Sequence, residues 1–205
     1  MYPKIETIIK EVSDFTISEE RKKILNSLVE YIQQKAKDKE EIRLNFICTH
    51  NSRRSHLSQI WAQTMAIHFD IKNVICYSGG TEATAMFPKV AETLTNQGFQ
   101  IQKLSETENP VYAVKYDDDS HPIICFSKTY DDVFNPSSKF AAIMTCSSAD
   151  QGCPFIAGAE KRIAVKYEDP KTFDGTDLMN EKYAEKSLEI STEMHYVFSQ
   201  INLKE

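Results

Sequence analysis

Between residue 42 and the end of the chain, short apolar segments of strand length alternate with segments of helical spacing. The strand-like segments are residues 44–47, 74–77, 140–145 and 162–167, and the helical segments are residues 57–67, 88–97 and 180–201. Strands that alternate with helices in this way pair in parallel, and helices cover both faces of the resulting sheet. The order of the segments therefore predicts an α/β domain around a mostly parallel sheet, in a chain whose 205 residues suffice for one domain.

Two regions fall outside this alternation. Residues 17–37 have the spacing of an amphipathic helix, with Thr16 or Ser18 as its cap and these apolar residues on one face: Ile17, Ile24, Leu25, Leu28 and Ile32. We interpret residues 1–41 as an N-terminal helical extension that packs on the domain surface, with dimerisation as the alternative role. Residues 111–116 and 122–126 flank a turn-forming run of Asp and Ser, which predicts a β-hairpin inserted beside the parallel sheet.

The composition limits the cellular setting and the partners. Five cysteines, odd in number and unevenly spaced, do not form the disulfide framework of a small secreted protein, and in a reducing compartment they are core residues or reactive thiols. The first ten residues lack an apolar signal core, and no apolar stretch has the length of a membrane span. The net charge of −6 disfavours nonspecific binding to nucleic acid. We therefore expect a cytoplasmic protein with neither nucleic acid nor a membrane as a partner.

The segment most informative about function begins where the first predicted strand ends, at Cys48. Five residues separate Cys48 from Arg54, which is followed by Ser55 and a helix. A loop of this length can direct its backbone N–H groups at one anion, and the helix N-terminus adds positive potential. Arg54 can grip two oxygens of a phosphate-like group, while Ser55 can donate to the sulfur. The pattern predicts that Cys48 is a thiolate nucleophile acting on a bound oxyanion. The alternative is a buried cysteine with an unrelated arginine downstream.

The run from Cys48 to Ser55 resembles the active-site loop of low-molecular-weight protein tyrosine phosphatases and of the thioredoxin-coupled arsenate reductases built on the same fold. Their pattern is Cys, any residue, Gly, Asn, any residue, Cys, Arg, Ser; Cys48, Asn51, Arg54 and Ser55 match it, whereas His50 replaces the glycine and Arg53 the second cysteine. The resemblance covers roughly residues 42–201, makes residues 42–205 the catalytic domain, and implies a flavodoxin-like three-layer sandwich with a central parallel sheet of four strands.

The same resemblance implies roles for individual residues of the loop. The catalytic residues would be Cys48, Arg54 and Ser55. The oxyanion would be bound by six consecutive residues: Thr49, His50, Asn51, Ser52, Arg53 and Arg54. We expect the replacements at His50 and Arg53 to affect substrate preference and rate more than the class of reaction.

A late Asp-Pro pair, Asp169-Pro170, lies between the last predicted strand and the last predicted helix. By itself such a pair indicates a turn. In the family that the loop resembles, the aspartate of a late Asp-Pro pair is the general acid, which the reaction needs because an oxygen leaving group departs poorly without a proton. The resemblance therefore implies that Asp169 is the general acid.

A second cysteine-containing segment distinguishes between the two kinds of enzyme. Residues 146–154, with the sequence CSSADQGCP, resemble the redox segment of thioredoxin-coupled arsenate reductases, which phosphatases of this fold lack. The resemblance implies that Cys146 and Cys153 are catalytic: Cys146 resolves the covalent intermediate on Cys48, and Cys153 then forms a disulfide with Cys146 that thioredoxin reduces. If the segment is helical, the two cysteines lie about 10 Å apart, so the helix must partly unwind. Two structural thiols are the alternative.

Together these motifs predict a thioredoxin-coupled arsenate reductase that reduces arsenate to arsenite. The alternative is a low-molecular-weight protein tyrosine phosphatase that hydrolyses phosphotyrosine or small phosphate monoesters through a phosphocysteine intermediate. Arsenate and phosphate are similar in shape and charge, so the loop does not separate them. A third interpretation, suggested by His50 and Arg53, is an oxyanion sensor without catalytic activity.

The remaining cysteines and histidines suggest no further site. Core or surface packing is expected for Cys76, Cys125, His56, His68 and His195. The cysteines and histidines form no metal-ligand cluster in the sequence. Some reductases of this family hold potassium near the loop through Asn and Glu ligands, but here Asn51 is accompanied by Gln59 where the Glu is expected. We therefore predict no metal and no other cofactor.

Overall fold

The computed structural model describes residues 1–153 and 155–203. Its elements, in chain order, are α1 (Pro3–Ser13), α2 (Glu19–Lys37), β1 (Ile42–Cys48), α3 (Arg54–His68), β2 (Val74–Gly80), α4 (Pro88–Asn96), β3 (Gln100–Lys103), β4 (Tyr112–Lys115), β5 (Ile123–Cys125), β6 (Phe140–Met144), α5 (Ser147–Gly152), β7 (Ala159–Ala164), a 3₁₀ helix (Pro170–Phe173) and α6 (Met179–Ser199). None of the helices in these two ranges is both long and apolar enough to cross a bilayer.

Four strands form a parallel sheet in the order β2-β1-β6-β7, with helices on both sides. This arrangement confirms the predicted α/β sandwich and its four-stranded sheet. β1 lies in the interior of the sheet, so both of its edges are paired and its end is held firmly. Cys48, the last residue of β1, lies opposite Gly80, the last residue of β2. The loop that begins at Cys48 therefore lies at the carboxyl edge of the sheet, where α/β folds bind their ligands.

Successive side chains of the buried strands alternate between the two faces of the sheet. In β6, Ala141 and Ile143 join the larger hydrophobic core, whereas Ala142 and Met144 join a smaller one on the opposite face. The larger core lies under α3 and α6. The smaller one lies under α5, so the segment that carries two of the predicted catalytic cysteines packs directly on the sheet.

Both N-terminal helices pack on the larger core. α2 has the predicted cap, because Ser18 Oγ accepts from the Arg21 N–H at 3.2 Å. α1 was not predicted, although Pro3 suits a first helical turn and the buried residues have helical spacing: Ile5, Ile8, Ile9 and Val12. The charged residues that lie between these apolar positions in the sequence obscured the pattern. The division of the chain at residue 41 stays a prediction.

The predicted hairpin exists and is part of a second, antiparallel sheet in the order β3-β4-β5. β3 was not predicted because it is polar and largely exposed, with Ile101 as its one partly buried apolar residue. The last parallel strand, predicted at 162–167, is displaced: β7 begins at Ala159 and ends at Ala164. Val165 and Tyr167, which suggested a longer strand, are buried beyond its end.

Candidate active site

Cys48 is buried, with 4% of its surface exposed, and the loop that follows it rests on the end of β2. The backbone N–H groups of Thr81 and Glu82 donate to the carbonyls of Cys48 and Thr49, at 3.1 and 3.0 Å. A Cβ atom on Gly80 would lie 2.6 Å from the Thr49 carbonyl oxygen and 2.7 Å from the Asn51 nitrogen. The loop therefore sits so closely on β2 that only glycine fits beneath it.

The backbone of the loop offers donors to a ligand. Within the described part of the chain, no hydrogen bond has a backbone N–H of residues 50–55 as its donor. These groups lie at the N-terminus of α3, where the helix dipole favours an anion. The free donors and the helix end together fit the predicted oxyanion site.

Asn51 gives the loop its shape. Its φ of +44° lies in the left-handed region, which asparagine adopts more readily than most residues. The side chain is fully buried, and its Oδ1 accepts from the Lys128 backbone N–H at 2.9 Å while its Nδ2 donates to Ser55 Oγ at 2.8 Å. Asn51 thus ties the loop to the segment after β5 and orients the Ser55 hydroxyl.

Ser55 lies in the first turn of α3, and its Oγ is 3.1 Å from the sulfur of Cys48. Because Ser55 Oγ already accepts from Asn51, its own hydrogen is available for the sulfur. A donor in this direction stabilises a sulfur that carries negative charge. The geometry is that expected for a nucleophile and its supporting hydroxyl.

Arg54 and Asp169 face each other in the structure. The Nη2 of Arg54 donates to Asp169 Oδ2 at 2.5 Å, and its Nη1 donates to the Tyr167 carbonyl at 3.0 Å. The Nε of Arg54 is buried and has no partner among residues 1–153 and 155–203, which leaves one donor for another acceptor. Asp169 also caps the 3₁₀ helix, since its Oδ1 accepts from the Lys171 N–H at 3.0 Å. Asp169 can therefore cap a turn and still face the pocket as the predicted general acid, so the two interpretations of the Asp-Pro pair are compatible.

A small pocket brings most of the predicted residues together. We call it the Cys48 pocket; it is lined by Cys48, His50, Ser52, Arg53, Arg54 and Asp169. Residues separated by more than 100 positions therefore converge on the sulfur. The pocket contains a thiol, an arginine and a carboxyl group, which are the groups that the predicted displacement at a tetrahedral oxyanion requires.

The two residues that depart from the loop pattern use their side chains elsewhere. His50 Nε2 pairs with Glu82 at 3.2 Å at the rim of the Cys48 pocket. Arg53 donates to the Tyr183 hydroxyl at 2.5 Å and to Asp174 at 2.6 Å. Both line the pocket, but each is held by partners that the sequence pattern did not indicate. Their part in binding the oxyanion stays a prediction.

The second and third cysteines lie on either side of α5. Cys146 caps the helix, with its Sγ accepting from the Ala149 N–H at 3.3 Å, and the same sulfur lies 3.4 Å from Thr49 Oγ1 in the loop. Cys153 follows the helix and is half-buried. Cys48 and Cys146 belong to the same small hydrophobic cluster, and Cys153 packs against it. Pro154, the last residue of the quoted redox motif, lies outside the described residues.

Arg162 is a residue near this segment that the sequence did not indicate. Its Nε donates to the Cys153 carbonyl at 3.0 Å, and its Nη2 donates to the Asp150 carboxylate at 2.6 Å. It therefore holds the C-terminal end of α5. An arginine on a predicted strand is usually a surface residue, so the only available signal was that strand's position next to the strand preceding Cys146.

The other cysteines and histidines for which no site was predicted, Cys76, Cys125, His56, His68 and His195, have packing or surface positions, as expected. Burial raises the pKa of the Cys125 thiol to about 12 and also raises the pKa of Cys76. His56 is fully buried beside Ser78, and this burial lowers its pKa to about 3. His68 and His195 lie near each other, with ring centroids 6.5 Å apart.

The side chains that would hold potassium in the family do not fit the ion here. Gln59 directs its Nε2 at the carbonyls of Cys76 and Ile124, at 3.1 and 3.3 Å, and so presents donors rather than a carboxylate. The Oδ1 of Asn51 is already used by the backbone of Lys128. We assign no step of the chemistry to a metal ion.

Comparison with known proteins identifies the fold. No family model matches the chain, and no curated protein matches its sequence. A low-molecular-weight phosphotyrosine phosphatase from Vibrio cholerae O395 is similar in structure, with a TM-score of 0.52 and 14% identity over 77% of this chain and 94% of that one. An arsenate reductase from Archaeoglobus fulgidus gives 0.50 and 17% identity over 77% of this chain and 99% of that one. A low-molecular-weight protein tyrosine phosphatase from T. tengcongensis gives 0.53 and 15% identity over 78% of this chain and 100% of that one.

These similarities show that the chain has the fold shared by low-molecular-weight phosphatases and arsenate reductases. The similar structures include enzymes of both kinds, at identities of 17% or less. The fold therefore does not choose between the two activities, and the choice depends on the side chains of this chain.

Proposed function

We propose that the chain is a thioredoxin-coupled arsenate reductase that uses Cys48 as its nucleophile and Cys146 and Cys153 as a disulfide relay. The observation that carries the proposal is the contact of the Cys146 sulfur with Thr49 Oγ1, at 3.4 Å, in the loop that holds Cys48. A phosphatase of this type needs one thiol, whereas reduction of arsenate needs two electrons, which a pair of thiols can supply. Cys48 and Cys146 in one hydrophobic cluster, with Cys153 packed against it, support this assignment.

In the first step, arsenate binds to the free N–H groups of residues 50–55 and to Arg54. The sulfur of Cys48 attacks arsenic, so that an S–As bond forms while an As–O bond breaks. Asp169 lines the same pocket, and in its protonated form it gives a proton to the departing oxygen, which leaves as water. Arsenic is still pentavalent after this step.

In the second step, the thiolate of Cys146 attacks the sulfur of Cys48. The S–As bond breaks with its electron pair on arsenic, so arsenite leaves and a Cys48–Cys146 disulfide remains. The thiolate of Cys153 then attacks Cys146, which releases Cys48 as a thiolate and forms a Cys146–Cys153 disulfide. A dithiol of the thioredoxin class, present in the cytoplasm where we place the protein, reduces that disulfide.

The relay requires α5 to change conformation. Cys146 and Cys153 flank opposite ends of this six-residue helix, so their separation along the axis is about 10 Å, beyond the reach of a disulfide. Gly152 has open space around it, and serines in the first turn add little to helix stability. Partial unwinding at low cost is therefore compatible with the sequence of the segment.

The second candidate function is hydrolysis of phosphotyrosine or small phosphate monoesters. The observation in its favour is that the Cys48 pocket contains every group that this reaction needs, with no part for Cys146 or Cys153. Cys48 would form a bond to phosphorus as the ester oxygen leaves with a proton from Asp169, and water would then hydrolyse the phosphocysteine. Weak phosphatase activity is expected even from a reductase, because phosphate and arsenate have similar shape and charge.

The experiment is a coupled assay of arsenate-dependent NADPH oxidation with thioredoxin and thioredoxin reductase. We expect turnover by the parent, none by Cys48→Ser or Cys146→Ser, and the parent rate for Cys76→Ala, whose thiol lies outside the cluster. Efficient hydrolysis of 4-nitrophenyl phosphate without any arsenate-dependent oxidation would establish the phosphatase instead. Inactivity in both assays together with measurable arsenate binding would support the oxyanion sensor.

A further inference from the structure

Arg53 takes the place of the second cysteine of the loop pattern, and only 10% of its side chain is exposed. Its Nε donates to the Tyr183 hydroxyl at 2.5 Å, and its Nη2 donates to one carboxylate oxygen of Asp174 at 2.6 Å. The Tyr183 hydroxyl donates in turn to the other carboxylate oxygen of Asp174 at 2.6 Å. The three side chains thus form a closed ring of three hydrogen bonds.

The guanidinium group of Arg53 also stacks on an aromatic ring. Its central carbon lies 4.1 Å from the centroid of Phe87, which precedes α4. The ring of Phe87 lies 5.8 Å from that of Tyr183 in α6. Planar stacking combined with two directed donors is a property of arginine that lysine lacks. One side chain of the loop therefore contacts the residue before α4, a residue of α6 and the segment after the 3₁₀ helix.

The contact with Asp174 reaches the predicted general acid through a short segment. Asp169 caps the 3₁₀ helix at one end, with its Oδ1 accepting from the Lys171 N–H, and Asp174 follows the other end, with its N–H donating to the Lys171 carbonyl at 3.0 Å. Arg54 binds Asp169 and Arg53 binds Asp174. Two successive arginines of the loop therefore hold the two ends of one compact turn.

We propose that Arg53 is a positioning residue, which fixes the 169–174 segment against the loop and so sets the place of the Asp169 carboxyl group in the Cys48 pocket. This inference rests on the proposed function, in which Asp169 gives its proton to the departing oxygen. In that step the bond from Cys48 sulfur to phosphorus or arsenic forms, and the bond from that atom to the oxygen breaks. An acid that is displaced by a small distance loses most with leaving groups that depend on the proton.

The test uses two esters that differ in the acidity of the leaving group. 4-Nitrophenolate leaves without much help from an acid, whereas phenolate requires it. We expect Arg53→Lys to lower kcat on phenyl phosphate at least about tenfold more than on 4-nitrophenyl phosphate. Asp174→Asn, which removes the negative charge and one of the two acceptor oxygens of the same contact, should show the same selective loss.

Lys35→Met is the matched control. Lys35 is also a largely enclosed cation, 12% exposed, which pairs with Glu40 and Glu160 near the ring of Tyr31, but it lies outside the Cys48 pocket. We expect this variant to keep the parent rates on both esters. Equal losses on both esters for Arg53→Lys would overturn the positioning role, because they would show that the acid still acts normally.

Hydrogen–deuterium exchange of residues 168–178 with phosphate present gives a second measurement that does not need turnover. We expect faster exchange in this segment for Arg53→Lys and no change for Lys35→Met. If the parent turns over neither ester nor arsenate, the proposed function fails and exchange alone decides the role of Arg53. Unchanged exchange in Arg53→Lys would then overturn the inference, and faster exchange confined to the segment would support it.

Discussion

The sulfur of Cys48 and the hydroxyl oxygen of Ser55 lie 3.1 Å apart, one at the end of β1 and the other in the first turn of α3. The loop between them closes on itself through this contact. Asn51 supplies the link, since its side chain donates to Ser55 while its backbone makes the left-handed turn. A strand end, a turn and a helix start are in this way joined into one site.

Removal of the Ser55 hydroxyl should slow the formation of the covalent intermediate. A hydrogen bond to a charged atom contributes about 1.5–3 kcal/mol, so we expect Ser55→Ala to lower kcat by about tenfold to a hundredfold. The measurement is single-turnover kinetics with arsenate or 4-nitrophenyl phosphate. Ser58→Ala is the control, because the Ser58 hydroxyl donates to the Arg54 carbonyl within α3. Parent kinetics in Ser55→Ala would contradict a role for this hydroxyl.

Without the thiol of Cys153, the reaction should stop at the Cys48–Cys146 disulfide. In Cys153→Ser, arsenate should convert the protein to a Cys48–Cys146 disulfide in a single turnover, after which the reaction stops. Mass spectrometry of non-reduced peptides identifies the linked pair. Cys125, which burial keeps as a thiol with a pKa raised to about 12, should remain unmodified in the parent and the variant. Continued turnover by Cys153→Ser with thioredoxin would rule out this order of steps.

The hydrogen bonds from Arg162 to the end of α5 should limit the rate at which the disulfide moves from Cys48–Cys146 to Cys146–Cys153. Arg162→Met removes the hydrogen bonds to Asp150 and to the Cys153 carbonyl, so unwinding of the helix becomes easier. We expect the Cys146–Cys153 disulfide to form several-fold faster, as measured by quenching with a thiol-blocking reagent after arsenate is added. Arg43→Met, on β1, is the control because Arg43 contacts Glu41 and Ser138 instead. A slower transfer in Arg162→Met would show that α5 reacts as a folded helix.

The stability of the fold should fall at acid pH because His56 is buried in its neutral form. Burial lowers its pKa from 6.5 to about 3 in the folded state. Below pH 6.5 the unfolded chain therefore binds a proton that the folded chain does not, and the free energy of unfolding falls as the pH decreases toward 3. The slope for this one group is at most about 1.4 kcal/mol per pH unit.

His56→Asn tests this expectation because asparagine keeps a polar group near Ser78 but gains no proton. Urea denaturation between pH 7 and pH 4.5 should give a shallower pH dependence for His56→Asn than for the parent, even if the variant is less stable at pH 7. His121→Asn, at an exposed position before β5, should keep the slope of the parent. Identical slopes for the parent and His56→Asn would show that another group determines the pH dependence of the free energy of unfolding.

Local patterns predicted the parts of the site that lie close together in the sequence. The apolar run before Cys48, the five-residue spacing to Arg54 and the helical spacing after Ser55 gave the strand, the loop and the helix. The directions of His50 and Arg53 could not be predicted, because their partners Glu82, Asp174 and Tyr183 lie on other elements. Burial of Arg53 depends on how α4 and α6 pack, which no short motif encodes.

The same difference between local patterns and partners on distant elements explains the errors in the predicted fold. α1 has an amphipathic pattern that the sequence contained, but alternating charges concealed it. β3 has no comparable pattern: its residues are mostly polar and exposed, and it exists because the neighbouring strand β4 provides partners for its backbone. An edge strand of this kind is determined by its neighbour rather than by its own residues.

The close fit of Gly80 beneath the loop sets how near the backbone of Thr49 and Asn51 lies to the end of β2. If the loop binds an oxyanion as we propose, a backbone supported in this way has little conformational entropy to lose on binding. Even a methyl group at residue 80 would push the loop away from β2 and displace its backbone N–H groups. The loop could thus lose its shape although no chemically reactive side chain had been changed.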